Sequence, residues 1–338
     1  MNKKIAHWIV WIVVSLATLI GISILSLSVG SAAIPLRKIL FIIREGKGSI
    51  EHTIIFNIRL PRIILGFAIG GALSLAGVIL QGMFRNPLVE PYTLGISGGA
   101  AIGVSVSIIL QLHNSFGLFF LPLSGFLGSV IVIVLVYSLS IKRGVMKTQG
   151  LLLTGVMISF ISSSLLMLIM SISRIEDLHG IIFWIMGSLE EPNWFLIKLA
   201  LVISVAGLVV SYFFCFDLNA LSLGEEEALH LGINIENSKR ILLLIASLLT
   251  GFSVSVAGII GFVGLVVPHF VRMFVGSDHR ILIISSFIFG AGFLIFCDTL
   301  SRTIVAPIEL PVGVITGIVG GSLFVYALNK KNIVLGEK

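Results

Sequence analysis

Residues 61–83 are apolar almost without interruption, with Arg62 at one end and Gln81 near the other. Nine more runs of this kind lie along the chain, joined by short polar links. A helix needs roughly 20 apolar residues to cross the hydrocarbon layer of a bilayer. In that layer only helices and closed barrels satisfy their own backbone polar groups. Barrel strands alternate apolar and polar residues, and these runs do not. The sequence therefore predicts an all-α polytopic membrane protein of about ten transmembrane helices, at 7–29, 61–83, 93–111, 116–140, 150–172, 193–216, 240–257, 259–276, 281–301 and 311–329. Of the 338 residues, 57% are hydrophobic and 11% charged, where a soluble domain carries about a quarter charged residues. Residues 1–338 read as a single transmembrane domain, with no stretch large and polar enough to form a soluble catalytic domain.

Small residues recur at helical spacing. Gly66, Gly70, Ser74 and Gly77 leave one face of the second run nearly bare, and Gly95, Gly99 and Gly103 do the same in the third. Such faces let helices approach closely and associate by packing. Between these two runs lies a polar elbow, Arg85-Asn86-Pro87-Leu88-Val89-Glu90-Pro91. Glycine and proline also crowd the stretch 258–268, where a short or broken helix is expected. Ser74–Ile79 and Ser255–Ile260 match closely, as an inverted internal repeat would.

Lysine and arginine in short loops set orientation. Lys3 and Lys4 precede an apolar run over 5–29, which exceeds the roughly 7–15 residues of a signal-peptide core. It is read as the first membrane helix, with both termini cytoplasmic. Arg85, Lys142, Arg143, Lys147, Lys239, Arg240, Arg280, Lys330 and Lys331 then fall inside. Arg37, Lys38, Arg44, Lys47, Arg59, Arg62, Arg174 and Arg302 fall outside, as a positive rim suited to an acidic partner. The net charge of +6 is scattered between apolar runs and fits headgroups better than nucleic acid. Cys215 and Cys297 both sit in apolar surroundings and read as packed side chains.

Two connections are longer. Residues 173–193 carry an apolar stretch, Ile181–Met186, expected as a short interfacial helix. Residues 217–240 read as two short amphipathic helices split at Gly232. Leu221, Leu223, Ala228, Leu229 and Leu231 would form their apolar side, opposite Glu225, Glu226 and Glu227. No phosphate-binding loop, HExxH or CxxC motif occurs. The histidines are isolated, and only His269 is expected to be buried. Charges within the spans are scarce, apart from Asp298 and Arg302 at i, i+4 spacing. An ion-coupled secondary transporter usually carries mid-span carboxylates, so the driving energy is expected from another protein. An intramembrane enzyme would need a buried catalytic pair, and none is evident.

Several short motifs occur in one order: Arg59-Leu-Pro-Arg62, Gln81-Gly82, Asn86-Pro-Leu88, Glu90-Pro91, Leu94-Gly-Ile-Ser97-Gly-Gly-Ala100, Gly224-Glu225, Leu231-Gly232, Gly261-Phe-Val-Gly264, Pro268-His269, Arg272 and Glu309-Leu-Pro-Val-Gly313. Together they resemble the FecCD family of ABC-importer permeases, which take up iron–siderophores, haem and cobalamin. The resemblance implies the type II importer fold of the cobalamin permease. It also implies a second permease subunit, two separate ATPases that hold ATP and Mg, an extracytoplasmic binding protein, and no cofactor or metal in this chain. The implied setting is the bacterial cytoplasmic membrane and the implied cargo an iron–siderophore, with cobalamin or haem as the alternative. By the same resemblance Gly224, Glu225, Ala228, Leu231 and Gly232 belong to the segment that couples to the ATPase. Arg59, Arg62 and Arg302 dock the binding protein. Asn86, Leu88, Thr148 and Gln149 form the cytoplasmic gate.

Overall fold

The computed structural model describes residues 3–30, 32, 34–45, 48–117, 119–142 and 145–329. Lys47, Arg143, Lys330 and Lys331, used above to assign orientation, lie outside the described residues. Apart from two short turns, Pro91–Leu94 and Leu112–Phe116, the helices are α1 (Lys3–Ser28), α2 (Leu36–Glu45), α3 (Ile50–Phe84), α4 (Ile96–Ile109), α5 (Phe120–Ser140), α6 (Thr148–Ile172) and α7 (Ile175–Ile185). They continue as α8 (Trp194–Phe213), α9 (Cys215–Leu223), α10 (Glu225–His230), α11 (Ile235–Ala257), α12 (Val263–Val275), α13 (His279–Ser301) and α14 (Val312–Asn329). Among the described residues, seven helices are long and apolar enough to span a membrane, and α4, α12 and α14 are shorter apolar helices. These ten correspond to the ten expected segments.

α3 is the central element. Its most apolar window is 89% buried, against 11% for α1 and α6. A helix apolar on all sides belongs inside protein, and Leu65, Leu75, Val78, Ile79 and Leu80 are fully enclosed. The bare faces make this possible. A Cβ on Gly70 would collide with the Gly290 carbonyl of α13, and one on Gly77 with the Gly264 carbonyl of α12. α1 lies along α13, where Leu19, Ile63, Ile288 and Ile295 pack together. The helices α1 and α6 present their remaining apolar surface outward, as lipid or a second subunit requires.

The second span begins earlier than its sequence pattern suggested, because Ile50–Thr53 and a π-helical turn, Ile54–Arg59, continue it backwards. α2 was also not foreseen. It buries Ile39 and Ile42 against Ile34 and Ile55 while Arg37 and Lys38 stay exposed.

The expected break between the seventh and eighth spans is real. α11 ends at Ala257, Gly258 has φ of 71° and Phe262 has φ of 68°, and α12 is only 13 residues long. α3 and α11 run in opposite directions, with Gln81 of α3 and Lys239 of α11 at one end of the bundle. The proposed repeat does not extend to conformation: Ser74–Ile79 lies within α3, whereas Ser255–Ile260 crosses the end of α11. The stretch expected as an interfacial helix falls in α7, whose Ile181 packs against Val104 and Ile108 of α4. Cys215 and Cys297 are buried and unpaired. A two-residue antiparallel pairing, Ile141 with Met146 and Lys142 with Val145, links α5 to α6.

Candidate functional site

At one end of the bundle α3 stops at a left-handed residue, Arg85 (φ 51°), and the chain turns through the elbow. Asn86 Oδ1 accepts the Leu88 N–H at 2.9 Å, closing an Asx turn. Beyond it the elbow dips into the bundle and supports the break after α11. The Phe262 N–H donates to Glu90 Oε1 at 2.7 Å. The Tyr92 hydroxyl donates to the Ile260 carbonyl at 2.9 Å and accepts the Ile260 N–H at 3.1 Å. Backbone groups freed by an interrupted helix are thus satisfied by side chains, as burial demands. Glu90 stands out in the sequence only as part of the Glu90-Pro91 motif and Tyr92 not at all; no spacing signal points to this contact.

The 217–240 connection forms two short helices, but the split is at Gly224 rather than at Gly232. Gly224 has φ of 136°, which favours glycine, and Gly232 (φ 80°) ends α10 instead. The expected apolar side is also divided. Leu221 and Ala228 are buried, whereas Leu223, Leu229 and Leu231 are 67%, 65% and 63% exposed. The break at Gly224 separates the two helices: α10 turns Ala228 to the bundle and Leu229 and Leu231 away from it, and Leu223 projects outward from the end of α9.

Glu225 joins α10 to two spans. Its carboxylate accepts from Lys239 Nζ of α11 at 2.7 Å and from Thr148 Oγ1 of α6 at 3.0 Å. Partial burial raises the Glu225 pKa, but the bond and charge of Lys239, with Thr148 and Arg85, outweigh it and hold the carboxyl below its usual range. Lys239 is 1% exposed; in the sequence it counted only as a topology signal. A cavity of about 870 Å³ lies here, walled among others by Arg85, Asn86, Thr148, Gln149 and Glu225. Residues expected in the gate and in the coupling segment therefore share one polar space. Leu88 does not join them; it is 57% exposed on the elbow.

At the opposite end Arg59, Arg62 and Arg302 do not form a free rim. All three are buried, at 2%, 5% and 3% exposure. Arg59 donates to the carbonyls of Leu27 and Ala32, fastening the turn after α1. Arg62 pairs with Glu309 at 2.7 Å, Glu190 at 3.3 Å and Asp298 at 3.9 Å. Arg302 Nε meets Asp298 Oδ2 at 3.0 Å, and its Nη2 donates to Ser26 Oγ at 2.9 Å. The i, i+4 pairing of Asp298 with Arg302 is present as expected. Charges at this depth persist because they compensate one another. Among the described residues, no group of three or more His, Cys, Asp or Glu side chains is placed to hold a metal ion.

The sequence profile of the FecCD transport family matches residues 18–330. The hemin transport system permease HmuU of Yersinia pestis is 39% identical over 274 residues, covering 80% of this chain and 82% of that one. The Fe(3+) dicitrate transport system permease FecD of Escherichia coli K12 is 37% identical over 321 residues, covering 95% and 97%. A solved structure described as an inward-facing conformation of a metal-chelate type ABC transporter superposes with a TM-score of 0.83 at 29% identity, covering 96% and 99%.

Proposed function

Because the chain belongs to the FecCD transport family, we propose that its cargo is an iron–siderophore complex and that α10 receives the power stroke from a separate ATPase. The chain is a membrane-embedded permease of the ABC-importer class, a transport subunit. It acts with a second permease, identical or paralogous, with two ATP-hydrolysing subunits at the elbow end, and with a binding protein at the arginine end. The elbow end then faces the cytosol, and both termini with it.

The Glu225 bridge carries this reading. A push on α10 cannot move it alone, because its first carboxylate is tied to α11 through Lys239 and to α6 through Thr148. The exposed Leu223, Leu229 and Leu231 give the ATPase an apolar surface to grip. Gly224 and Gly232 set the ends of the knob, and Ala228 seats it against the bundle. Thr148 and Gln149 at the start of α6 lie across the 870 Å³ cavity from Asn86, so movement of α6 widens or narrows the exit. Leu88 lies on the elbow beside this passage. ATP and Mg belong to the ATPase, and this chain performs no covalent chemistry.

At the arginine end the binding protein is read as docking through exchange. Its acidic groups take over Arg62 from Glu190 and Glu309, whose side chains are 72% and 39% exposed. Arg59 and Arg302 hold the frame behind it. Such charges steer association more than they strengthen it.

The test is uptake in proteoliposomes that hold the permease, its ATPase and its binding protein. Leu231→Arg, at an exposed side chain, is expected to abolish uptake of a radiolabelled iron–siderophore while the permease remains folded. Glu225→Lys is expected to abolish it as well, with a loss of stability because Lys239 is left facing a like charge. Full uptake after either change, or uptake driven by an ion gradient without ATP, refutes the reading. Haem is the second cargo to assay, since HmuU is named for hemin transport.

A further inference from the structure

Beside the coupling knob, and adjoining the Glu225 cavity across Arg85 and Asn86, lies a second cavity of about 410 Å³ between the end of α3, α12 and the start of α13. Arg85, Arg272, His269, His279, Gln81 and Asn86 are among its walls, and no acidic side chain lines it. The Arg272 guanidinium makes one hydrogen bond among the described residues, a long one of 3.4 Å to Gln81 Oε1. The Gln81 amide nitrogen donates to the Gly264 and Leu265 carbonyls at 3.2 and 3.3 Å, which turns Oε1 towards Arg272.

The nearest carboxylates are already engaged. Asp278 is held by Arg280 at 2.6 and 3.0 Å, by Lys4 at 3.3 Å and by Asn219 at 3.2 Å. Glu225 is held by Lys239 and Thr148, although Arg85 also lies within its field. Two histidines complete the wall, at 7% (His269) and 3% (His279) exposure, and the Nε2 of each has no hydrogen-bond partner. Gly82 leaves room in front of one of them: a Cβ there would sit 2.7 Å from His279 Nε2. A guanidinium without a counter-charge and two unpartnered buried imidazole nitrogens are costly unless something polar occupies the space.

We propose that this cavity binds a small protonated oxyanion of the hydrogen phosphate type. The charge requirement comes from Arg85 and Arg272, whose planar forks suit tetrahedral oxyanions. The proton requirement comes from His279. Its Nδ1 lies 2.8 Å from Asn219 Oδ1, and Asn219 Nδ2 is committed to Asp278, so Nδ1 is the donor. The neutral ring then presents Nε2 as an acceptor. Hydrogen phosphate offers a P–OH to that nitrogen and anionic oxygens to the guanidiniums; sulfate offers only the oxygens. Bound there, the anion bridges the elbow through Arg85 to α12 through Arg272, and so biases the position of the exit. The same chemistry is available from free phosphate or from the phosphomonoester headgroup of phosphatidic acid.

The full chain is purified in a phosphate-free detergent and titrated with radiolabelled inorganic phosphate, with sulfate as competitor. Saturable binding is expected, with sulfate at least tenfold weaker. Arg272→Gln is expected to weaken phosphate at least tenfold, while Arg240→Gln, outside the cavity, leaves the affinity unchanged. If Arg272→Gln does not fold, Arg272→Lys keeps the charge without the fork and is expected to weaken binding by a smaller factor. A second arm uses nanodiscs of phosphatidylcholine with and without phosphatidic acid. Displacement of phosphate by phosphatidic acid assigns the site to the headgroup, and its failure assigns it to the free ion. The proposal is overturned if neither ligand binds saturably, if the Arg272 variants bind as wild type does, or if sulfate matches phosphate. It is also overturned if a carboxylate of the assembled ATPase fills the cavity.

Discussion

Glu225 and Lys239 form an ion pair whose two members differ sharply in burial, and the consequences of removing each differ accordingly. The Lys239 side chain is 1% exposed and the Glu225 side chain 46%. Glu225→Gln leaves an ammonium inside the bundle without a counter-charge. Breaking a buried pair in this way costs about 3–5 kcal/mol, and because Gln keeps an oxygen near Nζ the lower end, ~3 kcal/mol, is expected. Lys239→Met leaves a carboxylate that water already reaches, and costs ~1 kcal/mol or less. The double variant is expected within ~1 kcal/mol of wild type, far from the sum, because neighbouring sites couple. The assay is unfolding of the purified chain in mixed micelles, followed by circular dichroism. The sign with pH also follows. The folded Glu225 pKa lies below its usual value, so its contribution is complete above the unfolded value of about 4.3 and is lost as pH falls through the folded value. The Glu225→Gln deficit is therefore full at neutral pH and shrinks in acid. Equal deficits for the two single variants, or additivity in the double, refute the reasoning.

Other consequences follow from the packing and the charges. Gly77→Val forces a side chain against the Gly264 carbonyl; a loss of ~3 kcal/mol is expected from overpacking a backbone contact, seen as a lower yield of monodisperse protein. Asp298→Asn deprives Arg62 and Arg302 of a shared counter-charge and is expected to destabilise by ~3 kcal/mol, whereas Glu190→Gln, at a largely exposed carboxylate, changes stability by less than ~0.5 kcal/mol in the same unfolding assay. Substituting Leu229 and Leu231 together by Asp touches only exposed side chains; stability is expected to change by ~0.5 kcal/mol or less, while ATP-dependent uptake is lost.

The ten apolar segments and their order were legible because crossing a bilayer imposes length and composition on each helix independently. The glycine faces were legible for the same reason, since Gly70 and Gly77 are recognisable by spacing before their partners Gly290 and Gly264 are known. What stayed hidden depends on contacts between distant parts of the chain. Arg62 looked like a rim charge because its three carboxylate partners lie 128, 236 and 247 residues away, at Glu190, Asp298 and Glu309. The split in the coupling segment was assigned to the wrong glycine. Gly224 and Gly232 look alike in sequence, and only the seating of Ala228 distinguishes a hinge from a stop. Thr148 and Glu225, read as parts of two different devices, turned out to share a hydrogen bond.

The interruption after α11 has a consequence for how the protein is made. At 13 residues α12 is ~20 Å long, short of the ~30 Å a bilayer presents. Its preceding loop has backbone groups that only Glu90 and Tyr92 complete, and those side chains are synthesised some 170 residues earlier. The translocation machinery cannot therefore release this half-crossing into lipid as a finished unit. It must wait beside the nascent chain until it packs on the early helices, and a ribosome stalled before residue 260 would leave the early elbow gripping nothing.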